Sequence, residues 1–240
     1  MSTSGMALAG LHKLTAIDYP GLVAATVFTQ GCNFRCPYCH NRQLTKRRSG
    51  ETLLAGKDVF AFLKKRASQL DGLVVSGGEP TLQPGLADFC REVKKLGYRI
   101  KLDTNGSRPQ VLVALMDEEL VDYVAMDCKS APGAYADFFC PEPDIQEKVE
   151  TSARLLREGR LAHEFRTTCV SPYVAPAMLR DMAAVVGPDS PWLLQAARLD
   201  AVPPLADLQA LTPGDMRELA AQAEQYGAQP VLRMDDHTRG

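Results

Sequence analysis

Neither sign of charge dominates this sequence: 27 Lys and Arg face 29 Asp and Glu, for a formal net charge of -2. That balance gives no electrostatic footprint for nucleic acid or for an anionic membrane surface. No stretch approaches the ~20 apolar residues of a membrane-spanning helix. The opening MSTSGMALAG has neither a basic start nor an apolar core of signal-peptide length, so the expected location is the cytoplasm. Internal repeats and low-complexity tracts are absent as well, which leaves an ordinary globular composition, 45% hydrophobic and 23% charged. The 240 residues suit one sizeable core. The expectation is a single domain over 1–240, with its core at about 20–200, an extension at 1–19, and a C-terminal helix and edge strand in 201–240.

Cysteine does not have the distribution of a disulfide framework. There are seven, an odd number, and a reducing compartment argues against pairing them. Three of them, Cys32, Cys36 and Cys39, fall within eight residues, directly after the apolar, β-branched run at 22–29. That run reads as a buried strand, so the thiols lie on the loop that leaves its end. A four-iron cluster held wholly by protein takes four thiolates. Three on one short loop leave one iron open, and an open metal position is where substrate chemistry happens.

The same residues admit other readings. Cys36-Pro37-Tyr38-Cys39 fits the C-x-x-C of a thioredoxin-like or glutaredoxin-like redox site, which leaves Cys32 idle. Cys36 to His40 also spells the haem-attachment pattern C-x-x-C-H, although covalent haem normally accompanies export. A structural zinc would need His40 as fourth ligand, and no second cysteine pair stands nearby. Cys90 falls on the apolar stripe Leu86, Phe89, Val93, Leu96 and reads as core. Cys128, Cys140 and Cys169 read as packing or free thiols.

Strand patterns at 22–29, 72–76, 98–102, 121–126, 161–168 and 192–195 alternate with helical patterns at 57–70, 85–96, 109–116, 145–158 and 176–186. A further helix starts near Gly214, and 230–233 reads as an edge strand. Such alternation implies a parallel sheet with outer helices, α/β in class. Six βα units fall short of the eight that close a barrel, so a partial (βα)6 TIM-like barrel is expected. The polar loop 42–52, with Lys46-Arg47-Arg48, reads as a solvated, mobile connection.

In this architecture the catalytic groups sit at the carboxyl ends of strands. The chemistry-bearing residues fall there: the cysteine loop after the first predicted strand, Ser76-Gly77-Gly78-Glu79-Pro80 after the second, Asp103-Thr104-Asn105-Gly106 after the third, Asp127 and Lys129 after the fourth, and Arg166 within the fifth. Paired glycines let backbone approach a ligand closely. The acids suit a cation, a ribose or a lysine. Arg166 offers a planar fork for a carboxylate. Singly, each also reads as a turn, a cap or a solvent-facing strand residue.

With those residues in view, the chain resembles the activating enzymes of glycyl radical enzymes within the radical S-adenosylmethionine (SAM) superfamily. The branch it resembles most is the one that activates anaerobic ribonucleoside-triphosphate reductase. The C-x-x-x-C-x-x-C spacing, with aromatic Tyr38 before the last thiol, is the superfamily signature. The flanking text Thr15-Ala16-Ile17-Asp18-Tyr19-Pro20-Gly21, Phe28-Thr29-Gln30-Gly31 and Cys39-His40-Asn41 carries the branch, and the likeness runs over about 11–169.

The resemblance implies that Cys32, Cys36 and Cys39 ligate one 4Fe-4S cluster. Tyr38, Cys39 and His40 would lie against the adenine of SAM, and Gly77, Gly78 and Glu79 would meet its amino group. Asp103, Thr104, Asp127 and Lys129 would line the pocket, the two acids around a monovalent cation, and Arg166 would face the SAM carboxylate. It further implies reductive cleavage of SAM to a 5'-deoxyadenosyl radical and hydrogen abstraction from a partner's glycine, with no catalytic acid or base from the protein. The partners implied are that glycyl radical enzyme and an electron donor such as flavodoxin or ferredoxin, with neither nucleic acid nor membrane. Some related activases insert ferredoxin-like clusters after the first cysteine loop, but no cysteine lies between Cys39 and Cys90, so one cluster is expected. Gln195 stands where some activases use a last-strand histidine. Activases of the formate-lyase type, a deazaguanine-forming synthase and a thiol-disulfide oxidoreductase are the alternatives.

Overall fold

The computed structural model describes residues 5–46, 53–159, 161–199 and 207–234. Residues Arg47 and Arg48 of the basic loop, and 201–206 and 235–240 of the C-terminal expectation, lie outside them. The described residues group into two compact units, one drawn from 5–33 and 41–125 and the other from 34–40 and 126–234.

In the first unit, strands β1 (Leu8–Thr15), β2 (Ala24–Thr29), β3 (Gly72–Gly77) and β4 (Arg99–Thr104) pair in sequence order. β2, β3 and β4 are parallel, with Val27 beside Val75 and Val75 beside Leu102. Parallel neighbours need long crossovers, and helices supply them here. After the short α1 (Arg42–Thr45), α2 (Gly56–Arg66) leads from β2 to β3, α3 (Leu86–Lys94) from β3 to β4, and α4 (Pro109–Asp117) on to β5 (Tyr123–Asp127). Each buries one stripe: Val59, Phe60 and Leu63 on α2, Phe89, Cys90 and Val93 on α3, and Leu112 and Leu115 on α4. Phe60 meets Phe89 with ring centroids 5.5 Å apart, and Cys90 is a core residue as its position on the stripe predicts.

β1 falls where the sequence suggests only an extension. It runs antiparallel to β2, with register shifts between Leu8 and Gly10 and between His12 and Thr15. Those irregularities break the period-two alternation by which a strand is recognised.

In the second unit, β6 (Ala162–Ser171), β7 (Pro191–Ala196) and β9 (Gln229–Arg233) are parallel, and the two-residue β8 (Gln209–Ala210) pairs antiparallel to β6. The helices are α5 (Tyr135–Phe138), α6 (Ile145–Glu158), α7 (Leu179–Val186) and α8 (Pro213–Gln225). The start of α8 is dictated locally. Thr212 Oγ1 accepts from Asp215 N at 3.2 Å, Thr212 N donates back to Asp215 Oδ2 at 2.8 Å, and Pro213 takes the first helical position. α7 stops at Gly187, whose φ of +80° favours glycine. Trp192 is fully buried in β7, and its indole N–H donates to Thr167 Oγ1 at 2.8 Å. No helix among the described residues is long and apolar enough to cross a membrane.

Candidate active site

In the first unit the carboxyl ends of β2, β3 and β4 carry Cys32, the turn Gly77-Gly78-Glu79, and Asp103-Thr104-Asn105. Backbone hydrogen bonds stitch these segments together. Gly31 N donates to Leu44 O at 2.7 Å and Cys32 N to Thr45 O at 3.1 Å, so α1 anchors the start of the cysteine loop. Gly78 N donates to Thr29 O at 2.9 Å and Glu79 N to Gly31 O at 2.8 Å. The approach is so close that a Cβ on Gly78 would stand 2.2 Å from Gly31 O. Glycine is a steric requirement there, beyond its turn-forming habit.

Glu79 is 1% exposed and fully engaged. Its Oε1 accepts from Thr81 N at 3.0 Å, from Thr81 Oγ1 and from Thr104 Oγ1 at 2.8 Å, while Oε2 accepts from Asn105 N at 2.7 Å. Burial pushes its carboxyl above the ordinary value, against the pull of the donors on Thr81, Asn105 and Thr104. Asn105, which the sequence presents as a turn former, is a hub. Its Nδ2 donates to Asn33 Oδ1 at 3.0 Å and reaches Cys32 Sγ at 3.9 Å, and its Oδ1 accepts from Ser107 N at 2.9 Å. Asp103 is held by Lys101 Nζ at 2.6 Å from the same strand face.

The second unit holds Cys36, Tyr38, Cys39, His40, Asp127, Lys129 and Arg166. Cys39 N donates to Cys36 O at 3.1 Å, which closes the turn between the two thiols, and Arg35 N donates to Phe139 O at 2.8 Å. Phe34 and Tyr38 are buried in an aromatic cluster. Tyr38 lies 6.1 Å from Phe139 and 5.8 Å from Tyr173 between ring centroids, and Phe34 lies 6.1 Å from Tyr135. Tyr135 belongs to α5, an element the sequence did not announce, and its Oη accepts from Lys129 N at 2.9 Å. His40 is exposed.

Asp127 is the charged centre of this unit's site, with Lys129 Nζ at 2.9 Å and Arg166 Nη2 at 3.2 Å. Burial alone would raise its carboxyl, but Lys129 and Arg166 outweigh it and hold the group below its ordinary value. Lys129 is held well above its own, since Asp127 in particular overcomes the burial penalty. Burial pushes the Cys36 thiol up to about 11 despite Lys129. Gln195 is half-buried at the end of β7, beside Thr168 of β6.

The profile of the Radical SAM superfamily matches residues 26–181. The chain belongs to the radical SAM superfamily. A protein of Methanocaldococcus jannaschii, named as a glycyl-radical enzyme activating enzyme, is 34% identical over 184 residues, 75% of each chain. The pyruvate formate-lyase-activating enzyme of Clostridium pasteurianum is 30% identical over 161 residues, 60% of this chain and 67% of its own. Among solved structures, a radical SAM methyltransferase from Sphaerobacter thermophilus shares the fold at a TM-score of 0.63 and 18% identity, covering 95% of this chain and 69% of the other. The fold class is the radical SAM core, a mostly parallel sheet alternating with helices as in a partial TIM-like barrel.

Membership in the radical SAM superfamily implies a 4Fe-4S cluster and SAM, and the residues present fit both. The Tyr38 hydroxyl is buried without a hydrogen-bond partner among the described residues, as befits a group whose partner arrives with a ligand. Gly77, at φ +120°, and Gly78 keep side-chain bulk off the turn facing the cysteine loop. No three His, Cys, Asp or Glu groups among the described residues converge as one metal ion would require. A cluster asks for no such convergence, because each thiolate meets its own iron.

Proposed function

We propose that this radical SAM chain activates a glycyl radical enzyme, and that the partner is an anaerobic ribonucleoside-triphosphate reductase. The observation that carries the reading is the loop from Cys32 to Cys39. It bears three thiols and no fourth, and its start is held by α1 and by the glycine turn after β3. The M. jannaschii relative supports the activating role. The reductase as target rests on Thr15 to Gly21 and the text around the cysteines.

In this reading Cys32, Cys36 and Cys39 hold the cluster, and Tyr38, Cys39 and His40 lie along the adenine. A reduced cluster beside SAM supplies a carbon radical able to take a hydrogen atom from a glycine α-carbon. The protein binds, orients and excludes water, and no side chain serves as acid or base. Gly77, Gly78 and Glu79 meet the SAM amino group, and the Glu79 carboxylate also fixes the turn by accepting from Thr81, Thr104 and Asn105. Asp103, Thr104, Asp127 and Lys129 line the pocket. Arg166 faces the SAM carboxylate, its plane oriented by Asp127. A monovalent cation at the two acids is the sequence-based expectation. Each acid has side-chain cations within its own unit, Lys101 at Asp103 and Lys129 with Arg166 at Asp127, which supports a pocket without an added ion.

Anaerobic reconstitution should give about four irons per chain, SAM cleavage under a strong reductant, flavodoxin or ferredoxin being the natural donor, and a glycyl radical on the reductase by electron paramagnetic resonance. A radical on a formate-lyase type enzyme and none on the reductase would transfer the assignment to the second reading, which the C. pasteurianum relative favours. Cys32→Ala separates both from a thiol-disulfide enzyme, which would survive it.

A further inference from the structure

Lys101 lies two residues from Asp103 on β4, so both side chains project from the same face of the strand. The Lys101 side chain is 2% exposed and that of Asp103 15%, and their charged atoms meet at 2.6 Å. The ammonium also stands 5.9 Å from the centroid of the Tyr123 ring, within cation-π range. An ammonium this deep has surrendered its hydration and requires full compensation. Ion pairs of this kind are weak stabilisers, since an apolar pair of the same volume often does as well. Asp103 stands at the carboxyl end of β4, directly before Thr104 and Asn105, whose groups grip Glu79, and it projects from the face that it shares with Lys101.

We propose that Lys101 is the resident cation of the SAM pocket: its ammonium neutralises and aims the Asp103 carboxylate, so that SAM binding needs no added monovalent ion. This rests on the SAM reading above. Lys101 is a positioning residue, acting through Asp103 and not on the reacting atoms.

The test measures the SAM dissociation constant of the reconstituted full chain by calorimetry in potassium chloride and in tetramethylammonium chloride, whose cation is too large to enter. The wild type should bind equally in both, within about twofold. Lys101→Met should bind at least tenfold more weakly in tetramethylammonium and recover most of that loss in potassium or ammonium, whereas Lys101→Arg should retain affinity in either salt. A purely structural lysine would not produce ion-specific rescue. Wild-type affinity that itself rises tenfold with potassium would overturn the proposal, as would a folded Lys101→Met variant that no small cation restores. Should that variant fail to fold, the wild-type salt comparison and Lys101→Arg decide the matter. A wild type that binds no SAM in either salt would sink the SAM reading instead. Lys101 is then judged in the cluster-free protein, where the melting temperature of Lys101→Met should rise with potassium and that of the wild type should not.

Discussion

Replacing Glu79 tests how the strand ends of the first unit are held together. Glu79→Ala removes the acceptor for two backbone N–H groups, those of Thr81 and Asn105, and for the hydroxyls of Thr81 and Thr104. Hydroxyls can rotate to other partners, but buried N–H groups cannot, and each one stranded costs about 1–3 kcal/mol. The sum is roughly 2–6 kcal/mol. Glu79→Gln differs in a way the geometry specifies. Its amide oxygen can keep the Oε1 position with three donors, while its NH2 then faces the Asn105 N–H, so one backbone donor is stranded at about 1–3 kcal/mol. The pH dependence has a definite sign. The Glu79 carboxyl is raised in the fold, so its protonation favours the folded state. That stability is fully present below the unfolded carboxylate value and is lost as pH rises through the folded one. The deficit of Glu79→Gln should therefore be larger in acid than at neutral pH. Urea unfolding followed by far-ultraviolet circular dichroism measures both variants through a shift in midpoint at constant slope. Glu79→Ala within about 1 kcal/mol of wild type, or Glu79→Gln as damaging as Glu79→Ala, would refute the account of Glu79 as a four-donor pin.

Three further outcomes are expected. Gly78→Ala drives a Cβ into Gly31 O at 2.2 Å, displaces the start of the cysteine loop, and should lower reconstituted iron below the wild-type value measured alongside it. Asp127→Asn removes the carboxylate that pairs with Lys129 and Arg166. Its cost at neutral pH should be about 3 kcal/mol, at the low end for a buried pair because the Asp127 side chain keeps 30% exposure. Since Asp127 is held below its ordinary value, its pairing contributes above the unfolded carboxylate value and fades as pH falls through the folded one, so the variant should show a flatter acid limb. Tyr38→Phe removes a buried hydroxyl that has no partner among the described residues, and should stabilise the cluster-free protein by about 1 kcal/mol; a loss of similar size in thermal unfolding would show that the hydroxyl is already satisfied.

The parallel strands were legible because Val, Ile and Leu runs bounded by turn residues leave few alternatives, and the helices because their apolar stripes recur at helical spacing. β1 was hidden by its two register shifts. α5 was hidden by its length, a single turn whose value lies in one tyrosine hydroxyl. The candidate site residues were visible as residue types at or after strand ends, and in the case of Arg166 within a strand, but their bonding was not. Asn105 looked like turn chemistry because Asp-Thr-Asn-Gly is turn chemistry, and only the fold brings its amide to Asn33 and Cys32. Lys101 gave no signal, since whether a strand lysine meets water or a carboxylate depends on what the sheet faces. Glu79 was visible as an acid in a glycine turn, but only the fold shows that its carboxylate ties that turn to Thr104 and Asn105 at the end of β4.

The chain contains a single tryptophan, and Trp192 is sealed in β7 with its indole N–H tied to Thr167. Intrinsic fluorescence excited at the tryptophan band therefore has one emitter, situated in the second unit. Its spectrum should be blue in the native protein and redden when β6 and β7 part, so it reports on the second unit directly. Set beside circular dichroism, it becomes a built-in test of cooperativity: coincident curves mean the two units melt as one, and separated curves resolve them.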